Sequence, residues 1–313
     1  MKYRNLGSTG LKVSIAGIGC NNFGMRCDEA QSIEVVHAAL DLGINFFDTA
    51  DVYGSQHSEE MLGKAIAGKD RSQIVIATKF GAPMGDGILQ KGASRQYIFN
   101  AVEASLRRLN TDYIDLYQQH MPDPKTPMDE TLSALDDLVT AGKVRYLGNS
   151  NYSGWQIADA DWISRHNGYQ RFVTAQNHYN LLERGIEAEV LPACERFGIG
   201  MLPYFPLASG LLTGKYTRGQ DAPEGTRLAN FGERGKRALS DRNFDVIEKL
   251  TGYVQSHDKT LLQLAMSWLA SKSVVSSVIA GATNVSQVQA NADAVSWVLD
   301  AAAMEDITAL LKT

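Results

Sequence analysis

Short apolar, β-prone runs recur along the chain at 15–19, 45–48, 74–78, 114–118, 144–148, 174–176, 200–202 and 277–279. Between them lie stretches with helical spacing. Residues 29–42 bring Ile33, Val36 and Leu40 to one face, and residues 94–109 open on Ser94, a capping type, then repeat Ile98, Val102, Leu106 and Leu109. Strand then helix, repeated about eight times, predicts an α/β fold closed as an (α/β)8 TIM barrel rather than an open doubly wound sheet. The open-sheet dinucleotide fingerprint is also missing: Gly17-Ile18-Gly19 runs into Cys20-Asn21-Asn22, so no GxGxxG is completed. The turn Gly7-Ser8-Thr9-Gly10 predicts an N-terminal β-hairpin. After the seventh strand, residues 209–240 form a long loop rich in Gly, Arg and Lys, and loops of that length are usually functional. No repeat, low-complexity tract or linker divides the chain, so residues 1–313 are read as one domain.

Composition changes this picture only by exclusion. The 313 residues are 44% hydrophobic and 21% charged, as in an ordinary globular protein. A net charge of −5 without a basic cluster gives no reason to expect nucleic acid. No apolar run approaches the roughly 20 residues of a membrane helix, and the start has no secretory h-region. A cytoplasmic location is expected. Cys20, Cys27 and Cys194 form neither an even framework nor a CxxC pair and are read as free thiols. Two matches to the glycosylation pattern, at Asn151 and Asn284, are read as chance.

The chemistry starts at INFFDTADVYG, residues 44–54, where an apolar strand ends on Asp48, Thr49, Asp51 and Tyr53. Burying ionised carboxylates without partners is costly, so such a strand end is either solvated or catalytic. In a TIM barrel the carboxyl ends of the strands carry the active site. Asp48 ends the second strand, Tyr53 follows it, Lys79 ends IVIATK on the third, and His120 ends IDLYQQH on the fourth. Singly, each has a structural explanation: a loop cap, a packing ring, a snorkelling lysine, a satisfied core histidine. Together they make a proton donor. A tyrosine hydroxyl ordinarily titrates near pH 10, so a neighbouring ammonium that stabilises its anion makes it a better acid. An aspartate would hold that ammonium, and a neutral histidine would donate a hydrogen bond to a carbonyl. Carbonyl reduction by hydride transfer needs these groups and a hydride-carrying cofactor. A metal-dependent hydrolase is disfavoured, since the six histidines form no HxH or HExxH pair.

The motifs INFFDTADVYG-S-x-x-SEEMLGKAI, IVIATKFG, YIDLYQQHMPDP, VRYLGNSNYSGW, QNHYNLL, LPYFPLASGLLTGKY and SSVIAGATNVSQVQAN run in order through the chain. Together they resemble the aldo-keto reductase superfamily, in particular its bacterial branch similar to potassium-channel β subunits. The resemblance implies an NAD(P)H-dependent reductase of an aldehyde, ketone or aldose, with the tetrad Asp48, Tyr53, Lys79 and His120 and with Tyr53 as general acid. It also implies cofactor contacts. Ser150, Asn151 and Gln176 match positions that bind the nicotinamide carboxamide, and Tyr204 matches the ring stacked on nicotinamide. Gly19 and Cys20 lie beside the cofactor; Leu207, Ser209 and Leu211 take the pyrophosphate, and Lys215 and Arg227 close over it. Gly281, Thr283, Gln287 and Asn291 match the adenosine end. Thr283 stands where the family often has a cation for the 2′-phosphate, and Ala280 replaces a common proline; NADPH is nonetheless expected over NADH.

Asn21, Phe23, Phe80 and Met121 are expected to line the substrate pocket, with residues 82–92 overhead. No metal, nucleic acid or membrane partner is expected, while self-association stays open. Two alternatives share these residues: an aldose or alcohol dehydrogenase working in the oxidative direction, and a slow redox-sensing regulatory subunit.

Overall fold

A computed structural model describes residues 1–312. The chain opens with an antiparallel hairpin, β1 (Tyr3–Asn5) and β2 (Lys12–Ser14). Eight strands then alternate with helices: β3 (Ala16–Gly19), α1 (Glu29–Asp41), β4 (Phe46–Asp48), α2 (His57–Ile66), β5 (Val75–Phe80), α3 (Arg95–Leu109), β6 (Ile114–Gln119), α4 (Met128–Thr140), β7 (Val144–Ser150), α5 (Gly154–Asn167), β8 (Phe172–Gln176), α6 (Val190–Phe197) and β9 (Gly200–Met201). The long connection carries short helical turns and α7 (Glu233–Ala238); then come α8 (Asp241–Gln255), α9 (Leu261–Ala270), β10 (Val278–Gly281), α10 (Val285–Ala294) and α11 (Ala301–Lys312).

All eight strands are parallel, in the order β10-β3-β4-β5-β6-β7-β8-β9. The remaining seam is stitched just before β10, where the Met201 N–H donates to the Val274 carbonyl at 2.7 Å and the Ser276 N–H to Met201 at 3.0 Å. The sheet thus curls into the (α/β)8 barrel that the strand–helix alternation predicts. Helix starts follow local chemistry: Asp28 and Gln31 form a capping box on α1, and Ser94 accepts from the Tyr97 N–H on α3.

Strand parity sorts the side chains into two cores. Phe46, Val75, Ala77, Leu116 and Ile279 fill the barrel interior, and the hairpin closes its amino-terminal end with Leu6 and Val13. Phe47, Ile76, Phe80 and Tyr117 face the helix layer. The same alternation sends Asp48, Lys79 and Gln118 toward the carboxyl-terminal mouth of the barrel, where their polar ends meet.

Candidate active site

The side chains at that mouth depend on one another. Lys79, fully buried, donates to Asp48 Oδ2 at 2.6 Å, to the Thr49 carbonyl at 2.8 Å and to the Tyr53 hydroxyl at 3.4 Å. Asp48 is fully used as an acceptor, since its Oδ1 also takes Gln118 Nε2 at 3.0 Å and Gln176 Nε2 at 2.8 Å. The His120 ring stands edge-on to Tyr53, with centroids 5.7 Å apart. All four residues of the sequence-derived tetrad therefore converge, from β4, β5, the turn after β4 and the residue that follows β6.

Electrostatics fixes their charge states. Burial works against the Lys79 ammonium, but Asp48 and Tyr53 outweigh it and hold the lysine above its ordinary value. Burial likewise lifts the Tyr53 hydroxyl, with Lys79 pulling the other way. His120 is pushed down to about 3 by burial and then by Lys79, so it is neutral at physiological pH. Its Nδ1 is buried without a partner.

A cavity of about 580 Å³ leads away from Tyr53 and His120. Gly19, Asn21, Ser150, Asn151, Gln176 and Tyr204 form its near walls. These are tied together: Tyr204 donates to Asn151 Oδ1 at 2.8 Å, Asn151 Nδ2 to the His120 carbonyl at 2.9 Å, and Ser150 Oγ to the Gln176 carbonyl at 2.9 Å. Behind Tyr204 the His178 ring lies nearly parallel, 5.3 Å away. The far walls are Leu207, Ser209, Lys215 and Arg227, then Gly281, Thr283, Gln287 and Asn291.

Three observations test this cavity against a nicotinamide dinucleotide. Lys215, Arg227 and the neighbouring Arg26 line it, and among the described residues none of them has a carboxylate partner. Phe205, Ala208, Ser209 and Gly210 all hold left-handed backbone, a conformation kept at functional loops. Asn291 Nδ2 is buried without a partner. Unpaired cations, a strained loop and an idle amide donor fit the group.

Four expectations from the sequence, all for the substrate pocket, are corrected. Phe80 is fully buried and stacks on Tyr117 at 4.8 Å in the helix layer, because strand parity turns it away from the mouth that Lys79 faces. Phe23 is fully buried in the same layer. The side chains of Cys20 and Leu211 are also buried in the core, the Cys20 carbonyl capped by the Ser58 hydroxyl at 2.8 Å, so a contact of either with a cofactor is one of the backbone. Met121 is 42% exposed, and neither it nor residues 82–92 line the cavity. Conversely, Arg26 and Gln118 escape sequence reasoning: an arginine after a β-strand and a glutamine inside one have no local signature, and only strand parity could have flagged Gln118.

The model of the Aldo/keto reductase family matches residues 16–312. The chain belongs to the aldo/keto reductase family, a class of oxidoreductases acting on carbonyl groups with nicotinamide cofactors. It is similar to the "Probable voltage-gated potassium channel subunit beta" of Arabidopsis thaliana, 40% identical over 306 residues that cover 94% of this chain and 91% of that protein. It is 37% identical to the "Uncharacterized oxidoreductase YrpG" of Bacillus subtilis (96% and 93% covered) and 35% identical to that organism's "Aldo-keto reductase YhdN" (100% and 94% covered). Among the described residues no helix is long and apolar enough to cross a membrane, and no cluster of candidate metal ligands occurs.

Proposed function

We propose that this chain, acting as one domain, reduces the carbonyl of a small aldehyde, ketone or aldose with NADPH, and that Tyr53 is the general acid. The carrying observation is the Lys79 ammonium, 2.6 Å from Asp48 and 3.4 Å from the Tyr53 hydroxyl, at the closed end of the cavity. NADPH, when bound, supplies the hydride.

The residues of the chain do the rest. Ser150, Asn151 and Gln176 present polar groups to the nicotinamide carboxamide, and Tyr204, braced by His178, offers a flat face to the ring. Neutral His120 has one N–H to offer the substrate carbonyl oxygen, fixing its orientation and drawing charge toward it. As negative charge builds on that oxygen, Tyr53 gives it its proton. An alkoxide is far more basic than a phenolate, so the transfer is downhill even though burial weakens Tyr53 as an acid. The phenolate left behind lies beside the Lys79 ammonium, which Asp48 keeps charged and placed. The burial of Lys79 and Asp48 strengthens this electrostatic help relative to water.

Loss of NADPH and NADH absorbance with a panel of aldehydes, ketones and aldoses tests the reading. Saturable consumption with at least one carbonyl is expected, and none with any member of the panel would refute it. The potassium-channel relatives favour a second reading, in which turnover is slow and the bound cofactor reports redox state. A turnover number far below 1 per second on every substrate, with tight cofactor binding, would select it.

A further inference from the structure

The turn that carries Tyr53 is strained. Gly54, Ser55 and Gln56 all adopt left-handed backbone, and at Gly54 a side chain would run into the Phe23 carbonyl. Such a turn persists only where its surroundings over-determine it. From the barrel side it is held by Lys79, whose ammonium bonds the Thr49 carbonyl at 2.8 Å and whose backbone carbonyl takes the Asp51 N–H at 3.2 Å. Its helix side carries the buried Asp51 side chain, which has no part in the mechanism above.

Asp51 is 1% exposed, and neither of its carboxyl oxygens makes a well-formed hydrogen bond. The groups facing it are Glu59 from α2, Arg108 and Tyr97 from α3, Tyr117 from β6 and, on the barrel side, Lys79 from β5. Arg108 is already committed: its Nε donates to Glu59 Oε2 at 2.7 Å, while Glu59 Oε1 takes the Thr78 hydroxyl at 2.5 Å. The Tyr117 hydroxyl is buried without a partner, and the Tyr97 hydroxyl donates to the Ala82 carbonyl at 3.5 Å while lying beside the Asp51 carboxyl. Two buried carboxyls therefore share one arginine, and Glu59 has it. A carboxyl in that position keeps its proton, because a second buried anion would have no counter-charge.

We propose that Asp51 is a positioning residue for Tyr53: its carboxyl, carrying its proton, seats the strained turn 49–56 in the pocket formed by Glu59, Tyr97 and Tyr117, and loss of that proton releases the turn. The inference rests on the reading of Tyr53 as proton donor. Burial and the Glu59 carboxylate push the Asp51 carboxyl up to about 7, against the pull of Arg108, the Val52 N–H and Lys79. Its ionisation therefore falls in the neutral range. Tyr53 and Lys79 are shifted up and His120 down to about 3, so none of these three accounts for a change near pH 7. On ionisation the Asp51 carboxylate moves toward water, and Tyr53, two residues on, leaves its place 3.4 Å from Lys79.

The test compares wild type, Asp51→Asn and Asp51→Ala from pH 5.5 to 9, in two measurements. One is turnover of 4-nitrobenzaldehyde with NADPH; the other is thermal unfolding at the same pH values. Wild-type kcat should fall as pH rises through about 7, and its unfolding temperature, taken relative to Asp51→Asn at each pH, should fall as pH rises from 5.5 toward about 7 and level off above it. Asp51→Asn, neutral at every pH, should keep the low-pH kcat within about threefold, with a flat kcat profile and without the loss of unfolding temperature toward pH 7 that Asp51 adds in wild type. Asp51→Ala should lose kcat at all pH values with KM little changed. Retention of the wild-type kcat decline in Asp51→Asn overturns the proposal, as does parallel pH dependence of unfolding in the two proteins. Unfolding needs no turnover, so a chain that reduced no carbonyl would sink the proposed function while the unfolding comparison still decided whether Asp51 holds a proton.

Discussion

Gln176 and Asp48 lie 128 residues apart in the chain and are joined by a 2.8 Å hydrogen bond from Gln176 Nε2 to Asp48 Oδ1. That bond commits the amide nitrogen of Gln176 to the tetrad and leaves its oxygen to accept from a ligand. Gln118 completes a ring, donating to Asp48 Oδ1 at 3.0 Å while its own oxygen lies 3.4 Å from Gln176 Nε2. The cavity wall at Gln176, where we propose the nicotinamide binds, and the carboxylate that holds Lys79 are thus one hydrogen-bonded unit.

The first prediction follows from that ring. Gln176→Ala should weaken cofactor binding and also lower kcat, because Asp48 loses a donor. A hydrogen bond to a charged group contributes about 1.5–3 kcal/mol, so kcat should fall by roughly tenfold or more. Gln118→Leu should lower kcat with much less effect on cofactor affinity. Cofactor titration beside steady-state kinetics separates the two; equal loss of affinity in both variants would dissolve the distinction.

Tyr53→Phe removes the hydroxyl and little else. Turnover should drop by a factor of roughly 100 or more, the scale of general acid catalysis, while cofactor affinity stays within about twofold. An unchanged kcat would end the case for Tyr53 as the acid.

Lys79 and Asp48 form an ion pair with almost no solvent contact, the two side chains 0% and 4% exposed. Removing one partner of such a pair leaves a buried charge uncompensated, at a cost of about 3–5 kcal/mol. Lys79→Met should therefore destabilise the fold by about that amount in urea, and adding Asp48→Leu should recover a large part of it. Additive losses in the double variant would mean that the pair is not coupled in stability.

The barrel was legible in the sequence because both of its periodicities are local: two along a strand, 3.6 along a helix. The meeting of Asp48, Tyr53, Lys79 and His120 was legible for a related reason, since Asp48 ends β4, Lys79 is the last residue but one of β5, His120 directly follows β6 and Tyr53 sits in the turn after β4. What the sequence hid depends on the side of a strand or on distant partners. Phe80 follows Lys79 and so faces the opposite layer, which sequence adjacency alone suggested otherwise. Gln118 looks like any strand glutamine until Asp48 is brought to it across 70 residues. Asp51 reads as a solvated turn carboxylate until α2 and α3 close over it.

His120 gives a pH prediction that needs no substrate. Its folded value is depressed to about 3, below the ordinary histidine value of about 6.5. Below pH 6.5 the unfolded chain therefore binds a proton that the folded chain refuses, so the His120 contribution to stability falls as pH drops from about 6.5 toward 3, opposite in sign to that of Asp51 and separated from it by comparison with a His120 variant. One proton corresponds to a slope of up to about 1.4 kcal/mol per pH unit. Urea unfolding between pH 6.5 and 5 should be steeper in wild type than in His120→Gln by up to that amount. Equal slopes would place a charged imidazole in the folded site.

The final prediction concerns cofactor choice. NADPH differs from NADH by one phosphate, and preference requires cations that gain only when that phosphate is present. Arg227 rests on Phe205 and Phe231, its guanidinium 4.8 and 5.7 Å from the ring centres, and burial with the nearby Arg26 shifts it below the ordinary arginine value. Two neighbouring guanidiniums without a carboxylate make a site that a phosphate dianion relieves. Lys215 lies against Gly210, inside the left-handed stretch, and is expected to serve the pyrophosphate common to both cofactors. Thr283 is already engaged, its N–H and hydroxyl both donating to Gln287 Oε1 at 3.0 and 3.3 Å. NADPH should therefore be preferred, with the margin set by Arg227. A charge-assisted contact of about 1.5–3 kcal/mol corresponds to roughly tenfold or more in affinity. Arg227→Ala should erase most of the ratio of the two dissociation constants, Lys215→Ala should weaken both cofactors alike, and Thr283→Ala should change the ratio least. An NADH preference in wild type refutes the assignment, and a ratio that collapses only in Thr283→Ala would move the phosphate to the loop after β10.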